Sequence, residues 1–220
     1  MRSVFKKLIK IIAIYSLLVT SVTAEKLMVF NFTEEELNSL EVRKVRGADA
    51  KTVYSIGNNE KGNYLKAVAE NAASGVGKEI KINLDKTPFI NITWKIEKDL
   101  KGIKENTKKG HDFAARVFVI KKTGATPLSN RAINYVFSSN SNIKDNWPSP
   151  YTKKSIDFVL STTKQHLNEW VTVKSNVKND FKKFHDLDLS ELNGIAIMTD
   201  TDNSKKSAIC YYQNIYFSSK

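Results

Sequence analysis

A chain of 220 residues with a formal net charge of +12 is long enough for one domain with a substantial core. Only five of its 35 basic residues are arginine and no nucleic-acid motif is visible, so nucleic acid, whose bases and phosphates are read by arginine forks, is not an expected partner. The single cysteine, Cys210, excludes an internal disulfide and leaves stability to the packed core.

Residues 1–24 read as a cleaved secretory signal. Arg2, Lys6, Lys7 and Lys10 form a basic start, Ile11 to Val19 an apolar run, and Val22-Thr23-Ala24 a small-residue cleavage site. The run from Leu8 to Val22 is broken by Lys10 and is shorter than the ~20 apolar residues of a membrane span, so none is expected after cleavage. Residues 25–220 then form one domain, with 31 Lys and Arg against 23 Asp and Glu. Their lysines are scattered through solvated loops, and weak attraction to an anionic envelope surface is the association such a charge suggests.

The mature chain opens with the apolar segment Leu27 to Phe32 and a capping box, Thr33 with Glu36 three residues on, which predicts a short helix to about Leu40. The period then switches to two. Lys51 to Ile56 and Asn63 to Glu70 read as a hairpin across the turn Gly57 to Gly62. Ala72 to Gly77 reads as a small-residue connection, followed by strands at Glu79 to Leu84 and Ile90 to Glu97 and a charged loop to Gly110. Further strands are expected at Phe113 to Lys121 and Arg131 to Ser138. Ile156 to Ser161 and Trp170 to Lys174 read as a second hairpin, and a helical turn near Asp180 to Phe184 leads to a central strand beginning at Gly194. That strand is apolar enough to need cover on both faces. Ala208 to Phe217 closes the chain. About ten strands with little helix predict an all-β, jelly-roll-like antiparallel sandwich.

Alternation sorts the polar residues by face. Arg116, Asn134 and Lys95 fall opposite the core-facing residues of their strands. In one sheet they would form a polar row, with Asp112 before it and Asp200 at the end of the central strand. Such a row supplies the donors and acceptors that a sugar's hydroxyls need; it equally describes a structural ion-pair network under covering loops. Asp200, Asp202 and Asn203 carry oxygens that suit calcium, or that stabilise a turn through side-chain-to-backbone bonds. Trp147, in a proline-bounded loop, is either a stacking platform or a plug. His111, His166 and His185 lack metal-ligand spacing, and neither a nucleophile elbow nor a phosphate-binding glycine loop is present, so no cofactor is expected.

Three segments occur in an order that resembles one family. They are Gly110-His111-Asp112-Phe113-Ala114-Ala115-Arg116-Val117, Ala132-Ile133-Asn134-Tyr135-Val136, and Gly194-Ile195-Ala196-Ile197-Met198-Thr199-Asp200-Thr201-Asp202-Asn203. Trp147-Pro148, Asp180-Phe181 and Tyr211-Tyr212 also resemble that family, the exported bacterial proteins grouped as domain of unknown function 3047. It departs in having His111 where Asp is usual and in lacking a second Trp near Ile92. The resemblance implies a jelly-roll-like sandwich in the periplasm or outside the cell and brings no activity. Three functional readings stay open. One is a non-catalytic module binding a carbohydrate or envelope glycan through Arg116, Asn134, Asp112, Asp200, Asp202, Asn203, Trp147 and Lys95. Another is a glycan-acting hydrolase or lyase using Asp112 and Asp200. The third is a structural accessory that binds another envelope protein.

Overall fold

A computed structural model describes residues 25–220; the expected signal lies outside the described residues. The chain runs through β1 (Lys26–Met28), α1 (Glu34–Ser39), β2 (Val42–Lys44), β3 (Val53–Asn59), β4 (Gly62–Glu70), β5 (Ala73–Asn83), β6 (Phe89–Lys98), β7 (Ala115–Lys121) and β8 (Arg131–Ser138). It continues through β9 (Asn146–Ser149), β10 (Thr152–Thr162), α2 (Thr163–His166), β11 (Val171–Asn176), α3 (Val177–His185), β12 (Glu191–Asp200) and β13 (Ser207–Ser218). The first sheet has the order β11-β6-β13-β4-β3, with β1 added against β13; the second has the order β2-β5-β12-β7-β8-β10-β9. Together they make a jelly-roll-like β-sandwich, antiparallel except where β10 runs parallel to β8.

Local chemistry explains the ends of several elements. Glu60 and Lys61 form a two-residue turn between Asn59 and Gly62, and Gly62 takes φ +110°, which favours glycine. In the capping box, Thr33 Oγ1 accepts from the Glu36 N–H at 3.1 Å. The Glu36 carboxylate turns back to the N–H groups of Asn31 and Phe32, at 2.8 and 2.9 Å, and so ties the helix to the preceding segment.

Between the sheets lie the apolar residues that alternation assigns inward, among them Val117, Val119, Ile133, Phe137, Ile195 and Ile197, all at most 1% exposed. Trp94 of β6 donates to Ser161 Oγ of β10 at 3.1 Å, which satisfies its indole inside the core and ties the sheets together. Helix α3 crosses from one sheet to the other with Val177 and Phe181 fully buried, and its Asp180 accepts from Tyr135 Oη at 2.7 Å. Among the described residues no helix is long and apolar enough to cross a membrane.

Three expectations need correction. Ala72 to Gly77 is not a connection: Ala73 to Gly77 opens the long strand β5, which pairs with β12. The segments at Ile156 and Trp170 do not form a hairpin, because β10 pairs with β8 and β9 whereas β11 joins β6 in the opposite sheet. The central strand β12 is covered by the core on one face only. Its other face carries Gly194, Ala196 and Met198, which floor an open groove.

Candidate functional site: a sealed polar row beside an open groove

Strands β12, β7, β8 and β10 are consecutive neighbours, so the residues that alternate outward stand in registered rows. Met198 is opposite Arg116, and Arg116 opposite Val136; Phe118 is opposite Asn134, and Asn134 opposite Asp157. Arg116, Asn134 and Asp200 thus project to one side of one sheet. Lys95 does not join them, because β6 belongs to the other sheet. Its Nζ lies 5.5 Å from the Tyr211 ring there. Alternation fixes a residue's face, but not which sheet its strand enters.

The row is closed to solvent. Arg116 is 4% exposed, with its guanidinium between the rings of Phe113 and Phe118 at 5.3 and 5.2 Å. It donates to the Asp200 carboxylate and contacts Met198 Sδ at 3.4 Å. Tyr212, reaching across the core from β13, fixes the backbone at this point. Its hydroxyl accepts from the Arg116 N–H at 3.1 Å and donates to the Met198 carbonyl at 2.8 Å, where β7 and β12 stop pairing. Asn134 donates to Asp157 Oδ1 at 2.7 Å, and the other oxygen of Asp157 meets His111 Nε2 at 2.8 Å. Asp157 has no exposed surface.

The acidic turn after β12 folds back onto Asp112. That carboxylate accepts from the Asn203 N–H at 3.2 Å, from Asn203 Nδ2 at 2.9 Å and from the Ser204 N–H at 2.6 Å. Oxygens of Asp112, Asp200 and Asp202 lie within 4.8 Å of one another. Burial, with Asp112 and Asp202 nearby, outweighs Arg116 and pushes Asp200 up to about 8; burial and Asp112 also raise Asp202. The groups bonded to Asp112 and Asp200 are N–H donors and a guanidinium, which compete with a cation for the same oxygens. As a catalytic pair, Asp112 and Asp200 are 0% and 1% exposed, so neither offers a face to a glycosidic bond. Trp147 stacks on Phe113 at 6.5 Å, half-buried over the apolar cluster of Phe113, Val136 and Val159. Exposed Tyr151 covers His111 edge-on at 5.5 Å.

Sequence reasoning missed Asp157 and Phe118. A lone carboxylate inside the apolar run Ile156-Asp157-Phe158-Val159 was a usable signal, since such a group is buried only when paired. His111 pairs not with its neighbour Asp112 but with Asp157, 46 residues away in the chain.

Open surface begins immediately beside the row. A groove of about 660 Å³ runs over β5, β12 and β7. Gly75, Gly77, Gly194 and Ala196 form its floor, Phe118, Ile120, Met198 and Val45 give it apolar contact area, and Glu41, Arg43, Lys44, Lys122, Asn130 and Asn193 line it with polar groups. Its size is that of a small-ligand site.

The fold and site define a two-sheet β-sandwich whose second sheet bears a sealed polar row and an open groove. The chain belongs to the family described as "Protein of unknown function (DUF3047)", whose model matches residues 38–216. No curated protein matches it. Among solved structures it is similar in outline to a family 30 carbohydrate-binding module, at 7% identity, covering 89% of this chain and 99% of that one with a TM-score of 0.47. The xyloglucanase domain of the effector NopAA from Sinorhizobium fredii, in complex with cellobiose, is 10% identical over 80% of this chain and 92% of that one, with a TM-score of 0.45. The family GH12 endoglucanase 3 of Trichoderma harzianum is 7% identical over 90% and 97%, with a TM-score of 0.43.

Proposed function

We propose that this chain is a non-catalytic binding protein, exported to the bacterial envelope, that holds a carbohydrate in the groove over β5, β12 and β7. The observation that carries this reading is the groove's construction. A floor of Gly75, Gly77, Gly194 and Ala196 leaves room for a ring to lie against the sheet, Phe118 and Met198 offer apolar area to its C–H face, and polar side chains stand around it. Hydroxyls need both donors and acceptors, and Arg43, Asn130, Asn193 and Glu41 supply them.

The buried row acts from beneath. Arg116, clamped by Asp200 and Met198, braces the Phe118 ring, and the Asn134–Asp157–His111 chain fixes the adjoining strands. A contact surface mounted on a rigid sheet loses little freedom on binding. The test is a glycan array with the purified protein, followed by calorimetric titration of the strongest ligand against wild type and Ala196→Leu. Filling the floor should weaken binding at least about tenfold with the thermal transition retained. A folded Ala196→Leu variant of unchanged affinity would refute the assignment.

A further inference from the structure

The outward face of the first sheet carries a second feature that its core does not require. Registered rows cross this face. Tyr211 of β13 stands opposite Lys66 of β4 on one side and Lys95 of β6 on the other. Trp170 comes in at the start of β11, beside Lys95. Tyr64, Trp170 and Tyr211 form a triangle of half-buried rings, with centroids 5.4 to 6.0 Å apart. Gly57 makes room for it: a Cβ there would stand 2.5 Å from the Tyr64 ring, so glycine lets that ring lie down on the strand. Lys66 and Lys95 hold their ammonium groups 5.7 and 5.5 Å from the Tyr211 ring centre. Among the described residues neither has a carboxylate within ion-pair distance. Glu97 accepts from the Tyr211 hydroxyl and is exposed on the same patch.

We propose that this face is a binding surface for an acidic polysaccharide, one whose sugar rings carry carboxylates. The three rings supply apolar area to the C–H faces of pyranose rings, and the two unpaired ammonium groups, set on either side of Tyr211, meet the uronate charges. With the Tyr211 proton donated to Glu97, the Tyr211 oxygen and the Glu97 carboxylate keep lone pairs that accept from sugar hydroxyls. The rings meet at 53 to 78° as one patch rather than as parallel platforms spaced for successive bases, and no arginine fork stands among them. The surface shares no residue with the groove on the opposite sheet, so it stands or falls separately from it.

The experiment is titration of the full chain with hexameric galacturonate and hexameric mannuronate, with cellohexaose as the neutral control. Wild type should bind at least one uronate oligomer, more weakly as salt is raised, and prefer it to cellohexaose about tenfold or more. Trp170→Ala should weaken that binding about tenfold, and the double variant Lys66→Gln/Lys95→Gln should do the same while flattening the salt dependence. Ala196→Leu, in the groove, should leave it unchanged. The lysine pair is on the surface, so its variant keeps the test alive if Trp170→Ala fails to fold. Failure of both uronates to bind, equal binding of cellohexaose, unchanged affinity in the lysine variant, or loss of uronate binding through Ala196→Leu would each overturn the proposal. So would binding of an oligothymidylate, or self-association of the protein, that the lysine variant abolishes.

Discussion

Replacing Asp200 by Asn tests how charge is held in the turn after β12. Oxygens of three carboxylates lie within 4.8 Å of one another, and one guanidinium, that of Arg116, is bonded to Asp200. Full ionisation would leave two uncompensated negative charges where Asp112 and Asp200 have almost no contact with water. Asp112 accepts three N–H bonds, whereas Asp200 has the guanidinium and one N–H. Burial and the neighbouring Asp112 and Asp202 push Asp200 up to about 8, against the pull of Arg116. In the unfolded chain an Asp titrates near ~4. Between those values the native state keeps a proton that the unfolded state has released, so the contribution is complete below about pH 4 and is lost as pH rises toward about 8. The slope for one retained proton is at most about 1.4 kcal/mol per pH unit, so several kcal/mol are at stake across the window. Asn does not titrate and keeps one carbonyl oxygen, which can accept from Arg116, but the Phe113 N–H donates to the other oxygen of Asp200 and faces an amide NH2 in its place. Urea unfolding of wild type and Asp200→Asn at about pH 4.5, 6 and 7.5 should give Asn a deficit of about 1–3 kcal/mol at the acid end, from the lost Phe113 acceptor, which shrinks or reverses as pH rises. The opposite sign, with Asn about 3–5 kcal/mol less stable near neutrality and the deficit shrinking in acid, would mean that Asp200 is ionised and paired throughout, and the reasoning would fail.

Other substitutions test the supports around the site. Tyr212→Phe leaves the Arg116 N–H and the Met198 carbonyl without their shared partner and should cost about 1–3 kcal/mol in chemical denaturation; no change in midpoint would remove Tyr212 as the pin between β7 and β12. Asp157→Leu strips both His111 and Asn134 of their acceptor and should cost about 3 kcal/mol or more, and a neutral result would show that the chain of three is dispensable. Phe181→Ala, in the fully buried face of α3, should cost about 3–5 kcal/mol through the cavity it leaves. Thr33→Ala removes the acceptor for the Glu36 N–H and should cost about 1 kcal/mol, read from the same denaturation curves.

Much of the fold could be read from period alone. The strand at Arg131 to Ser138, the hairpin of β3 and β4, and the inward set of β7 all follow from alternation, because half-buried strands must segregate their side chains. Sheet membership could not be read in this way. Trp170 to Lys174 and Ile156 to Ser161 are both good strands close in sequence, but a four-residue helix and a loop carry the chain across the sandwich between them. Nothing in a strand's own residues says which layer it joins, and Lys95 was misplaced for the same reason.

The polar row posed a different difficulty. Arg116, Asn134 and Asp200 point to one side of one sheet, but a side is open only if no loop lies on it. Here Phe113, Trp147 and Tyr151 come in from segments whose positions depend on long-range packing. The open part of that side has a signal in the sequence. The small residues of Ala72 to Gly77 are not punctuation: Gly75 and Gly77 alternate with Ser74 and Val76, which face inward and are at most 1% exposed. On the paired strand, Gly194 and Ala196 alternate in the same way with Ile195 and Ile197. Small residues at every second position of two neighbouring strands keep one face of a sheet well packed and leave the other bare. Unfilled positions forgo cross-strand contacts worth about 0.2–1 kcal/mol per pair, so a bare face needs a cause of its own. Crowding accounts for Gly77, where a Cβ would lie 2.8 Å from the Ala196 Cβ, and tightens Gly75, but at Gly194 the nearest atom would be 3.5 Å away, so it is at Gly194 that the bare face lacks a local packing cause.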